Sequence, residues 1–415
     1  MSENKKLVPK RRFKEFENTD VWKQSELGEV LSGMYNGQTP SRFSAENWGG
    51  KINWLTSGEL NQGVVMKTIE KITPIGQKDA NLRVVPEGTF IMAITGLEAA
   101  GTRGSCARLG IPTTLNQSCM ALFPKENLLD SGFLFQWYKK IGESYGLKYT
   151  QGTKQQSYNA ELVKILPIIL PNVAEQKEIS NFLDNLDQTI AFQQRKLEKM
   201  KSMKSAYLSE MFPAEGERKP KRRFPGFTDD WEQRELGEVA DIIGGGTPST
   251  SVKEFWDGNI DWYSPVEIGD KVFVNGSQKK ITDLGFQKSS AQMLPAGTVL
   301  FTSRAGIGST AILETEACTN QGFQSIVPKE NLDTYFIYSR SHELKRYGEI
   351  TGAGSTFVEV SGKQMAKMPI LIPDIEEQRE IGNFFQNLDQ TIAFQQQKLE
   401  KLQNIKKAYL NEMFI

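Results

Sequence analysis

Asn185-Leu-Asp-Gln-Thr-Ile-Ala-Phe-Gln-Gln194 recurs without a change at Asn387 to Gln396. At the same offset of 202, residues 173–212 match residues 375–414 at 27 of 40 positions. Glu175 to Phe212 contains neither Gly nor Pro and carries apolar residues at helical spacing, which predicts a long helix in each copy. A heptad puts Leu183, Ile190, Leu197, Lys204 and Met211 at one seam position, with Ile179, Leu186, Gln193, Met200 and Tyr207 at the other. The second copy does the same with Phe385, Ile392, Leu399, Lys406 and Met413, then Ile381, Leu388, Gln395, Leu402 and Tyr409. Polar seam residues cost stability and fix register, so Gln and Lys kept in both seams predict two specific helices meeting as an antiparallel coiled coil. Phe192 and Phe394 lie two residues past Ile190 and Ile392 and point away from the seam. They either dock a partner or pack against their own globules.

The repeat extends beyond the helices. Pro9-Lys-Arg-Arg-Phe13 returns as Pro220-Lys-Arg-Arg-Phe224, and Leu27-Gly-Glu-Val30 after Trp22 as Leu236-Gly-Glu-Val239 after Trp231. Thr39-Pro-Ser41 returns as Thr247-Pro-Ser249, Ile52-Asn-Trp54 as Ile260-Asp-Trp262, and Pro124-Lys-Glu-Asn-Leu128 as Pro328-Lys-Glu-Asn-Leu332. The order is constant, so the chain is a tandem duplication of one unit far too long for a solenoid repeat. Short β-branched runs after Pro-x-Gly turns (Gly88 to Ile94, Gly297 to Thr302) predict strands. Helical spacing predicts short helices at Gly132 to Ile141 and Thr334 to Arg346. The expected fold is α+β, with a largely antiparallel sheet in each globule. Globules are expected at 1–170 and 216–372, and the repeated helical segments at 171–215 and 373–415.

The 415 residues suffice for two to three domains with cores of their own. Lys+Arg equals Asp+Glu at 50 each, which excludes a purely electrostatic nucleic-acid binder but not one with segregated charge or basic partners. Three Cys residues without close spacing indicate neither a disulfide framework nor a zinc site. With no signal peptide and no long apolar run, the chain reads as cytoplasmic.

Catalytic signals are missing. There is no phosphate loop, no Asn/Asp-Pro-Pro-Tyr/Phe tetrapeptide and no metal-ligand spacing. Gly244-Gly-Gly246 reads as a turn, and the single histidine, His342, as a helix-surface residue. What recurs instead are polar loops. In the first globule they supply Gln38, Thr39, Ser41, Arg42, Thr95, Arg103, Asn116, Gln117, Thr153, Lys154 and Gln155. In the second they supply Thr247, Ser249, Thr302, Ser303, Arg304, Asn320, Gln321, Ser355 and Thr356. Asn and Gln can pair two-fold with adenine and Arg with guanine, which makes these the candidate DNA-binding residues. Turns alone also favour such residues, and a coiled-coil scaffold with two ligand-binding globules and no DNA role is the competing reading.

The order globule–helix–globule–helix, Leu-Gly-Glu-Val after Trp, Gly-x-Thr-Pro-Ser and Pro-x-x-x-Glu-Gln-x-Glu-Ile (Pro171 to Ile179, Pro373 to Ile381) resembles specificity subunits of type I restriction–modification enzymes along essentially the whole chain. The resemblance implies that each globule is a target recognition domain for one half of a bipartite, gapped, asymmetric DNA sequence. It implies that the helices set the spacing and dock two methyltransferase subunits, which restriction subunits join. S-adenosylmethionine, ATP and Mg²⁺ would then belong to the partners, and this chain would hold no cofactor, no metal and no catalytic residue.

Overall fold

The computed structural model describes residues 7–98, 101–151, 156–269, 271–304, 306–352 and 359–415. The backbone divides into two compact units, Met1–Gln194 with Gln397–Ile415, and Arg195–Gln396. The 38-residue helix Val173–Glu210 and the 39-residue helix Ile375–Met413 thus each give one part to one unit and the rest to the other. Both helices lie inside the segments 171–215 and 373–415, and each compact unit takes up part of both, so the units do not follow the expected globule limits of 1–170 and 216–372.

In the first unit a five-stranded sheet runs Leu31–Asn36, Cys119–Pro124, Phe90–Ala93, Cys106–Leu109, Gly63–Val65, antiparallel except for the last, parallel pair. Phe90, Ile91 and Met92 are all fully buried. An unbroken apolar strand of this kind needs cover on both faces. The helix Ser131–Tyr149 supplies it on one side through Phe133 and Leu134, and the 3₁₀ turn Ser57–Gln62 packs on the same strands. A smaller sheet orders Glu70–Ile72, Trp48–Leu55 and Thr114–Leu115. Leu27-Gly-Glu-Val30 forms a single helical turn closed by a Glu26/Glu29 capping box, with Leu27 and Val30 in the core.

The second unit repeats this plan. Its five strands are Ala240–Gly244, Gln324–Pro328, Val299–Phe301, Thr310–Leu313 and Phe273–Val274, and its three are Lys279–Ile281, Trp256–Tyr263 and Cys318–Thr319. The expected helix at 132–141 is longer, Ser131–Tyr149. Its counterpart is broken into Thr334–Ser339 and Ser341–Gly352 at Arg340, whose buried guanidinium donates to the Leu371 carbonyl and pairs with Glu343.

Both long helices start after a proline. The Asn172 carboxamide accepts from the Glu175 amide at 2.9 Å, and the Asp374 carboxylate from the Glu377 amide at 2.9 Å. The glutamates are then covered. Arg12 pairs with Glu175 at 2.5 Å and Arg223 with Glu377 at 2.6 Å, both carboxylates fully buried. Hydrogen bonding to Glu175 holds the Arg12 guanidinium above its usual value. The Gln176 side chain accepts from the Asp130 amide and donates to the Leu128 and Pro171 carbonyls. Gln378 bonds likewise to Asp333, Asn331 and Pro373. Glu-Gln in the repeated motif is therefore the joint between helix and globule.

Within the first unit the two helix segments pack antiparallel. Phe182 meets Tyr409 with ring centroids 4.8 Å apart, and Lys406 pairs with Asp187 at 2.5 Å. The second unit repeats both, with Tyr207 on Phe384 at 5.1 Å and Lys204 on Asp389 at 2.5 Å. Leu183, Leu197, Phe385 and Leu399 are buried in the seam, and Leu186, Ile190, Tyr207, Leu388, Ile392 and Tyr409 are partly buried. Gln193 and Gln395 are buried too, as a seam position requires.

The first unit also gathers both chain ends. Arg11 pairs with Glu412 at 2.6 Å, its amide donates to the Glu412 carbonyl, and Trp22 lies against Phe414. In the second unit a continuous chain does the same: Arg222 pairs with Glu210 at 2.7 Å, its amide donates to the Glu210 carbonyl, and Trp231 lies against Phe212.

Candidate nucleic-acid interface

After the first strand the chain turns at Gly37, where an added Cβ would sit 2.0 Å from the Leu115 carbonyl oxygen; at Gly245 it would sit 2.1 Å from that of Asn320. Only glycine allows this backbone approach. The following Thr-Pro-Ser loop is fastened by tryptophans. Trp54 Nε1 donates to the Gln38 carbonyl at 3.0 Å and Trp48 Nε1 to that of Ser41 at 3.1 Å. Trp262 and Trp256 do the same for Gly246 at 2.8 Å and Ser249 at 3.1 Å. Each Trp pair meets edge to face at 5.1 Å. The loop then reaches the next polar turn: the Thr39 hydroxyl donates to the Gln117 carboxamide oxygen, and Thr247 to that of Gln321. Sequence reasoning noticed that Trp54 and Trp262 recur but not that they hold the loop.

Several candidates turn out to belong to the frame. Asn116 is buried and its Oδ1 accepts from the Ser118 amide at 3.1 Å, while Asn320 Oδ1 accepts from the Gly322 amide at 2.8 Å. Both are side-chain-closed turns, which explains their recurrence without a base contact. Thr302 is buried, donating to the Gly306 carbonyl at 2.7 Å and accepting from the Ser309 amide at 2.9 Å. Ser303 is fully buried under Gly322 and Val360, to which its backbone bonds. As placed, Asn116, Thr302 and Ser303 present almost no surface to a ligand; the Asn116 and Thr302 side chains are taken up by hydrogen bonds within their own turns.

Other candidates face outward. Gln38, Ser41, Arg42, Gln117, Ser249 and Gln321 are exposed, and Thr39, Thr95, Arg103, Thr247, Arg304 and Asn320 are half-buried. Arg42 is clamped by both Glu70 oxygens at 2.5 and 2.8 Å and lies over Trp48 at 3.8 Å. Arg103 donates to Gln156 and to the Glu98 carbonyl. Arg304 lies on a backbone bridge to Glu359, and its guanidinium has no ion-pair partner among the described residues. Thr153, Lys154, Gln155, Ser355 and Thr356 lie outside the described residues. His342 is exposed on its helix, and the three cysteines are free and buried, the Cys106 thiol pushed up to about 12 by burial. Phe192 and Phe394 are 58% and 68% exposed, which leaves most of each ring open to a partner. No helix among the described residues is long and apolar enough to cross a membrane.

The type I restriction modification DNA specificity domain matches residues 19–202 and again 228–404. The chain is 31% identical over 190 residues to the type I restriction enzyme MjaIX specificity subunit of Methanocaldococcus jannaschii, covering 45% of this chain and 44% of that one. That match spans under half of the relative's length. A putative MjaX specificity subunit from the same organism is 24% identical over 402 residues, covering 94% and 92%. The crystal structure of a type I restriction–modification S subunit from M. genitalium has the same fold, with a TM-score of 0.67, 15% identity and 99% of each chain covered. Two copies of the type I restriction modification DNA specificity domain, together spanning most of the chain, place it in the family of type I restriction–modification specificity subunits.

Proposed function

We propose that the chain is the sequence-reading subunit of a type I restriction–modification complex, each globule reading one half of a bipartite, gapped, asymmetric DNA target. The near-identical helices dock two methyltransferase subunits, and restriction subunits join that core. The observation that carries this is one loop frame built twice, Thr39 on Gln117 and Thr247 on Gln321, presenting different side chains in each unit. A neutral chain gains little from phosphate attraction, so the methyltransferases supply much of the backbone contact. Methyl transfer from S-adenosylmethionine and ATP- and Mg²⁺-dependent cleavage belong to the partners. The purified chain alone neither methylates nor cuts.

Methylation mapping in cells expressing this chain with its methyltransferase tests the reading. One gapped motif is expected, and exchanging residues 240–368 for a relative's segment should change one half-site and spare the other. A change in both halves, or no motif, overturns it. A scaffold without a DNA role would give no sequence-selective gel shift with or without methyltransferase.

A further inference from the structure

Residues identical in both units cannot tell two different half-sites apart. Exposed positions that differ on the shared frame are where discrimination can arise. That frame aligns residue by residue: Thr39–Gln117 on Thr247–Gln321, Trp48 and Trp54 on Trp256 and Trp262, and the Thr56/Glu59 capping box on Ser264/Glu267. The Ile69 amide donates to Glu59 and the Gln278 amide to Glu267, both at 2.7 Å, which fixes the next turn as well. On this frame Phe43 stands where Ser251 does, Gly58 where Val266 does, and Ile69 where Gln278 does. Phe43, Val266 and Ile69 are 102%, 88% and 83% exposed, the three most exposed large apolar side chains among the described residues. All three sit on the frame's turns.

The turn carrying Phe43 is rigid. The Ser41 amide donates to Asp79 at 3.0 Å, and the Ser41 carbonyl accepts from Asn47 and Trp48. Arg42 is clamped by Glu70, so Phe43 and Ile69 flank one neutralised ion pair. This spot offers apolar surface and not a free cation for phosphate. Among base edges the apolar feature is the thymine C5-methyl, in the major groove.

We infer that Phe43, supported by Ile69, reads a thymine methyl in the first unit's half-site, while Val266 makes the apolar contact of the second unit. The inference rests on the DNA-reading function proposed above. The test uses the full chain assembled with its methyltransferase, titrated with duplexes in which each thymine of the target is replaced in turn by uracil, which lacks the methyl. One uracil in one half-site should weaken binding about fourfold. Phe43→Ala should weaken the wild-type target similarly and lose its sensitivity to that same uracil. Val266→Ala should leave that half-site unchanged and affect the other. Phe43→Ala with affinity and uracil sensitivity intact, or a half-site indifferent to every uracil, overturns the inference while a gapped motif still stands. Absence of any sequence-selective binding by the wild-type complex instead overturns the DNA-reading function itself.

Discussion

A methyl group at Gly37 collides with a backbone carbonyl, whereas at Gly33, four residues earlier, it meets nothing within 4 Å. Gly37→Ala should therefore destabilise its unit by about 2–4 kcal/mol and Gly33→Ala by little, read as the shift of the thermal transition in each variant. The residues singled out by recurrence divide along the same physical line. Thr39, Gln117, Asn116 and Trp54 recur because the loop cannot close without them, so duplication in the sequence exposes the frame more readily than the reader. Phe43 and Ile69 are matched in the second unit by unlike residues, Ser251 and Gln278, and periodicity or repetition cannot single out such positions. Only their exposure on a held turn does. Phe192 and Phe394 carry a different signal, because the heptad fixes which way they point and they are exposed as it expects. Phe192→Asp with Phe394→Asp should lower the number of methyltransferase chains bound below the two proposed, measured by native mass spectrometry, without changing the methylated motif.

At the level of the helices, the seam lysines acquire a reason that the heptad lacked. Lys406 is buried in the seam, where desolvation pulls its pKa down, and it is retained by Asp187; Lys204 and Asp389 form the matching pair. A buried charge left without its partner costs more than the pair gains. A double-mutant cycle on Lys406→Met and Asp187→Asn should yield a coupling of about 0.5–3 kcal/mol by denaturant unfolding, and additive losses would deny the pair a register role. The long Gly- and Pro-free runs made the helices legible in outline. The partner of each seam lysine was hidden because it sits on the other copy, at a distance in sequence that no local pattern spans. Each helix also serves both units, so lengthening one alone would shift the Asp187–Lys406 and Lys204–Asp389 pairings against each other. Seven residues inserted after both Gln194 and Gln396 keep every pairing and add about 10 Å, roughly three base pairs, to the helices. The methylated motif should then keep its half-sites and lengthen only its gap.

Across the whole molecule, the joint made by Arg11 with Glu412 and Trp22 with Phe414 is the one that Arg222 with Glu210 and Trp231 with Phe212 make along continuous chain. Seven residues separate Phe212 from Pro220, and a peptide bond from Ile415 to Met1 would leave nine between Phe414 and Pro9. The same joint is thus made once between segments far apart in sequence and once along continuous chain. Joining Ile415 to Met1 and opening the chain between Pro213 and Lys219 should give a protein with a similar unfolding midpoint and an unaltered methylated motif. The joint is then held by its Arg–Glu and Trp–Phe contacts, and continuity of the backbone through it adds nothing that the fold requires.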